Sequence, residues 1–183
     1  VIVLASNTPS LLFREKLPRN VITVLPPLKK IQKPGNVAIL TTEIVAKSRE
    51  LDNYIEQFSD LKDVITINCS ELVELVESGK FLTHERDCVK TILKVLKNEL
   101  KENKIKVATL SSTHLPFLLP FLKKCFKGIE FLDPAEDIAM NISKLEGPKS
   151  TRNSLLIYTT ESPKALQRNL KSMGISNKVN LFS

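Results

Sequence analysis

The chain has 183 residues, with 27 Lys and Arg against 20 Asp and Glu for a formal charge of +7; 42% of residues are hydrophobic and 26% charged. That composition excludes a disordered chain, and the length suits one large domain or two small ones with a buried core. No apolar run approaches the roughly 18 residues of a membrane span.

In chain order, short Val- and Ile-rich runs alternate with stretches of helical period. Val1–Ala5 reads as a strand, Pro9–Leu17 as a helix and Val21–Leu25 as a strand. A break at Lys33-Pro34-Gly35-Asn36 precedes a strand over Val37–Thr41 and a helix over Glu43–Phe58. Strand Val64–Asn68 leads to a short helix, Glu71–Ser78. A long amphipathic helix follows over Thr83–Lys101, with Val89, Ile92, Leu93, Leu96 and Leu100 on its apolar face. Next come strand Ile105–Leu110, helix Pro116–Phe126, strand Ile129–Leu132 and a helix opened by Pro134 and running to Ile142. Glu146–Asn153 is a polar loop, and strand Ser154–Thr159, helix Pro163–Met173 and strand Lys178–Leu181 close the chain.

This alternation predicts an α/β protein with mostly parallel sheets, whose ligands bind where strand ends meet helix starts. The opening Val1-Ile2-Val3-Leu4-Ala5 has no basic stretch before it, so no secretory leader is expected. A start without Met, inside an apolar strand, leads us to expect further chain upstream. Cys69, Cys88 and Cys125 fit no CxxC pattern and no disulfide framework, so free, mostly buried thiols in a reducing cytoplasm are expected. Neither His84 nor His114 has a Cys or carboxylate at metal-ligand spacing, so no zinc site is expected.

Two strand ends resemble each other. One is VIVLA followed by Ser6-Asn7-Thr8-Pro9; the other is KVATL followed by Ser111-Ser112-Thr113-His114-Leu115-Pro116. Each offers hydroxyls and free backbone N–H groups at a helix start, a seat for a carboxylate or phosphate. Helix capping explains either cluster alone. The matched pair adds the prospect of two walls facing one ligand.

VIVLASNTPS resembles the V-I-x-A-C-N-T-A-S segment of the aspartate/glutamate racemase superfamily, and LSSTHLPFLL its G-C-T-H-Y-P-L-L segment. VAILTTEIVAKS, NCSELVELVESG, FLDPAEDIA and LLIYTTESPKALQRNLKSMG are similar to further segments of the family, in the same order. The resemblance covers nearly the whole chain, but the family's opening Asp-Ser loop and Pro-Tyr-Gly segment are not found before Val1. It implies two three-layer α/β/α lobes with mostly parallel sheets and the active-site cleft between them. One lobe would comprise residues 1–33 and 132–183, lacking its N-terminal part; the other, residues 34–131.

Members of the family invert an α-carbon without a cofactor, using two cysteines on opposite faces of the substrate. One thiolate takes the α-proton and the other thiol returns one, a task suited to a group whose pKa of about 8.5 is readily lowered. By motif matching, those positions are Ser6 and Ser112 here. Serine is a far weaker acid and works only beside a dedicated base; His114 could assist Ser112, but nothing comparable adjoins Ser6. A natural member with lost or changed activity, an engineered double replacement, and a slower or different reaction all remain open. Leu115, Ser111 and Pro134 in place of the family's Tyr, Gly and Ser read as natural drift. His114 and Glu77 fall on the family's assisting His and Glu, although Glu77 also belongs to an acidic run, Glu71-x-x-Glu74-x-x-Glu77, that a solvated helix face explains. Asn7, Thr8, Thr42 and Thr113 fall on substrate-holding positions, whereas Val45 replaces a family Thr.

The expected partner is a small amino acid or other small carboxylate, with no cofactor, no metal and no membrane, and with a homodimer left open. A rival is a non-enzymatic basic protein, including a nucleic-acid binder. Lysines cluster at 29/30/33, at 94/97/101/104/106 and at 123/124/127, yet aromatic residues are only 5% and no nucleic-acid motif interleaves them. Solvated helix faces explain these lysines more simply.

Overall fold

The computed structural model describes residues 2–31, 35–58, 60–61, 63–145 and 154–182. The expected loop Glu146–Asn153, and Lys33 and Pro34 of the expected break, lie outside these. The chain divides into two compact units, Val1–Leu145 and Glu146–Ser183.

In the first unit, β3 (Asn36–Thr41), β4 (Val64–Asn68), β5 (Ile105–Leu110) and β6 (Glu130–Leu132) form one parallel sheet in the order β4-β3-β5-β6. A second parallel pair joins β1 (Ile2–Leu4) to β2 (Val21–Thr23). Residues 37–41 of β3 are all buried, as expected of a central strand covered on both faces. On one face, Val37 and Ile39 pack in a cluster with Leu11, Leu28, Val45, Leu51 and Tyr54. Each such side chain contributes about 1.5–3 kcal/mol when fully buried.

The helices connecting these strands are α1 (Asn7–Leu12), α2 (Glu43–Ala46), α3 (Arg49–Ile55), α4 (Ser70–Glu77), α5 (Glu85–Glu102), α6 (Leu119–Cys125) and α7 (Ala135–Ser143). The helix expected over Pro9–Leu17 starts at Asn7 and ends at Leu12, with a separate 3-10 turn over Arg14–Lys16. Three others differ from expectation for local reasons. The helix expected over Glu43–Phe58 breaks at Lys47-Ser48. There the Ser48 hydroxyl donates to the Val45 carbonyl at 2.7 Å and accepts from the Leu51 N–H at 3.2 Å, closing one helix and capping the next. The helix expected from Pro116 starts as a 3-10 turn, Leu115–Leu118, before α6, because Pro120 has no N–H to continue an α-helical ladder. The buried stripe of α5 is Cys88, Ile92, Leu96 and Leu100, a strict four-residue spacing that leaves Leu93 exposed.

The residues of β1, β2 and the four-stranded sheet all fall in the first of the two compact units. The second unit has β7 (Ile157–Thr159) parallel to β8 (Val179–Leu181), connected by α8 (Pro163–Ser172). Ser162 caps α8 by accepting from the Ala165 N–H, and the Gln167 side chain bonds both the Asn177 carbonyl and the Val179 N–H.

Candidate active site

The chain leaves β3 towards β4 on one side and later returns to form β5 on the other. The ends of β3 and β5 are therefore a topological switch point, where α/β sheets leave a crevice. The turn after β5 is firmly held. The Ser111 N–H donates to the Leu40 carbonyl at 2.9 Å, Thr41 Oγ1 donates to the Ser111 carbonyl at 3.1 Å, and the Thr109 and Ser111 hydroxyls meet at 2.8 Å. Ser112 follows, buried but opening into a cavity.

The turn after β1 is braced by Ser10, whose fully buried hydroxyl donates to the Leu4 carbonyl at 3.2 Å and accepts from the Val24 N–H at 3.1 Å. Ser6 occupies the cap position of α1 in an extended conformation, but its side chain makes no capping bond. Asn7 is buried, and neither its Oδ1 nor its Nδ2 has a partner among the described residues. Thr42, at the cap position of α2, likewise has a buried, unpartnered Oγ1. Buried polar groups are nearly always paired, so three unpaired atoms at two expected site residues stand out.

Asn7, Ser112 and Thr113 line one cavity of about 420 Å³, between the β1–α1 turn, the β5 end and α7. Ser6 itself does not line it, although its neighbours Ala5 and Asn7 do, and Thr8 and Thr42 do not. Much of the wall is apolar, including Val3, Leu110, Phe117, Ile138 and Ile142, with Asp133 the one carboxylate among the described residues. The Asp133 side chain accepts from the Ala135 N–H at 2.9 Å, which turns the chain from β6 into α7.

A second constellation joins three expected residues. His114 Nδ1 lies 3.5 Å from Ser112 Oγ, and His114 Nε2 lies 3.3 Å from Glu77 Oε1 at the end of α4. Glu77 thus faces the histidine while remaining largely exposed to solvent. The sequence pattern did not single out Thr41, Thr109, Ser10 or the α7 wall. A hydroxyl at or next to the end of a largely apolar strand, as in Leu40-Thr41 and Thr109-Leu110, was the available signal.

The three cysteines are free thiols. Burial pushes the Cys69 thiol up to about 12 and the Cys88 thiol up to about 11, the latter helped by Cys125 and Glu85 nearby. Both are therefore neutral at pH 7. Among the described residues no three His, Cys, Asp or Glu side chains group as metal ligands, and no helix is long and apolar enough to cross a membrane. A larger groove of about 610 Å³ between α4 and α5 contains none of the expected residues; across it Lys94 pairs with Glu71 at 2.7 Å. Lys30 and Lys124, from the other two lysine clusters, pair with Asp137 and Glu85 at 2.7 and 2.8 Å.

No protein-family model matches the chain. It is 30% identical over 117 residues to the glutamate racemase of Clostridium botulinum, covering 62% of this chain and 44% of that protein. To the glutamate racemase of Carboxydothermus hydrogenoformans it is 27% identical over 186 aligned residues, covering 94% and 67%. The chain spans about half the length of the curated relatives it matches first. Among solved structures, the glutamate racemase of Thermus thermophilus in complex with β-chloro-D-alanine superimposes with a TM-score of 0.77 at 23% identity, over 100% of this chain and 72% of that one. The Aquifex pyrophilus glutamate racemase gives 0.66 at 26% identity, over 98% and 72%. In order of segments, sequence similarity and fold, the chain is similar to the aspartate/glutamate racemase superfamily, and the relatives it matches are glutamate racemases.

Proposed function

We propose that this is a glutamate-racemase-like protein that holds a small amino acid, or another small carboxylate, between the β1–α1 and β5–α6 turns. Asn7, Thr8, Thr42 and Thr113 would bind the ligand. Ser6 and Ser112 stand where two proton-transfer groups would act, with Glu77 and His114 in support. In this reading residues 1–33 and 132–183 make one lobe, 34–131 the other, and no cofactor takes part. A cytoplasmic location and a homodimer belong to the same reading.

The observation that carries it is the Asn7 side chain, buried in the cavity that Ser112 and Thr113 also line, with both polar atoms unpartnered. A ligand carboxylate or ammonium would satisfy it. Racemisation is another matter, because removing an α-proton needs a strong base and inversion needs an acid on the far face. Ser112 has His114 within reach, whereas the Ser6 side chain has no hydrogen-bond partner among the described residues. The two-base cycle is therefore blocked at Ser6 while binding persists.

The test is α-proton exchange in D2O, followed by NMR with L-glutamate and L-aspartate. Saturable binding without exchange is expected, and exchange is expected in the S6C/S112C double variant. Absence of both binding and exchange in both proteins would overturn the proposal.

A further inference from the structure

We propose that Ser112 is an acyl-accepting nucleophile, with His114 as its base and Glu77 orienting the imidazole, acting on esters of short apolar acids. This goes beyond amino-acid binding: it uses the same cavity for different chemistry.

The geometry supplies three things that such a serine needs. The first is a base, since His114 Nδ1 lies 3.5 Å from Ser112 Oγ. That is the loose end of hydrogen-bond length, which is common in unliganded sites and tightens with substrate present. The His114 backbone N–H also reaches Ser112 Oγ at 3.5 Å, holding the hydroxyl in place. The second is a carboxylate behind the base. Glu77 Oε1 lies 3.3 Å from His114 Nε2, the ring nitrogen that does not face Ser112, and a proton held on Nε2 would leave the Nδ1 lone pair facing Ser112. The third is a place for the substrate. The cavity of about 420 Å³ is walled in part by Val3, Leu110, Phe117, Ile138 and Ile142, which gives a short apolar acyl chain a surface to pack against. Asn7 lines it too, and its unpartnered Nδ2 can donate to an ester carbonyl as negative charge develops there.

The reaction balances without a redox partner. Ser112 Oγ bonds to the carbonyl carbon as its proton passes to His114 Nδ1. The tetrahedral adduct then breaks its bond to the alkoxy oxygen, and the leaving alcohol takes that proton from His114. Water, deprotonated by the same nitrogen, attacks the acyl-serine, releases the carboxylic acid and restores the hydroxyl.

The test uses the 183-residue chain with p-nitrophenyl butyrate. A burst of p-nitrophenolate is expected, with the butyryl group mapped by peptide mass spectrometry to Ser112 in the unaltered protein. H114A should slow acylation by about 100-fold or more. E77A should slow it while leaving the half-saturating ester concentration unchanged, which a merely structural role for Glu77 would not produce. No adduct at Ser112, an adduct only on lysine or Cys125, or equal hydrolysis by S112A each overturns the proposal. Glutamate binding is measured separately, so failure of the amino-acid reading and failure of this one are distinguishable.

Discussion

Thr41 Oγ1 donates to the Ser111 carbonyl oxygen at 3.1 Å, and both residues are buried. This bond ties the last residue of β3 to the residue before Ser112, so the switch-point crevice has a rigid floor. Thr41→Val keeps the shape and leaves the carbonyl without its partner. We expect a loss of about 1–3 kcal/mol in urea unfolding, and reduced ligand affinity through the loosened turn.

Asn7 offers a sharper test, because stability and function should move in opposite directions. Its buried amide makes no internal bond, so an apolar side chain of similar size removes a desolvation cost. Asn7→Leu should raise stability by about 1–2 kcal/mol in the ligand-free protein and abolish glutamate binding. A thermal melt with and without glutamate checks both.

Ser10 joins β1, α1 and β2 through one hydroxyl. Ser10→Ala leaves the buried Val24 N–H without its partner, while the Leu4 carbonyl keeps the Ser6 N–H at 2.8 Å. A destabilisation of about 1–3 kcal/mol is expected from denaturant titration. Hydrogen exchange at Val24 should speed up, while β4 stays protected.

Alkaline pH should weaken the fold through its buried thiols. Cys69 and Cys88 keep their protons in the folded chain up to about 12 and about 11, whereas in the unfolded chain an ordinary thiol ionises near about 8.5. Above that value the unfolded state binds fewer protons than the folded one, so stability is complete below it and falls as pH rises towards 11–12. Unfolding measured from pH 8 to pH 10.5 should decline less steeply in C69A/C88A than in the unaltered chain. Parallel slopes would refute the linkage.

The central strand of the larger sheet was legible because a fully covered strand needs a continuous apolar run, as in Val37-Ala38-Ile39-Leu40. The break at Ser48 was not legible, since a serine inside a helical period reads equally well as an exposed interior position until its two hydrogen bonds are seen. Prolines misled in a similar way: Pro116 begins the turn as expected, but Pro120, four residues later, keeps that first turn 3-10. For the candidate site, the proximity of Ser112 and His114 follows from their two-residue spacing. The approach of Glu77 to His114 does not, because the fold brings α4 beside the β5 turn and a 37-residue separation says nothing about it. The family resemblance supplied that pairing. The apolar α7 wall was hidden for the opposite reason, since Ile138 and Ile142 look like ordinary core residues of an amphipathic helix.

The sheet order also bears on how the chain is made. β3 emerges from the ribosome first of its sheet, yet its two neighbours are β4 and the much later β5, paired through Asn36 and Ile105. At roughly 5–20 residues per second, one edge of a largely apolar strand waits several seconds for its partner. Through that interval the nascent chain offers an unpaired β-edge to any other strand nearby, so holdase chaperones and slow translation between residues 42 and 104 should govern its yield.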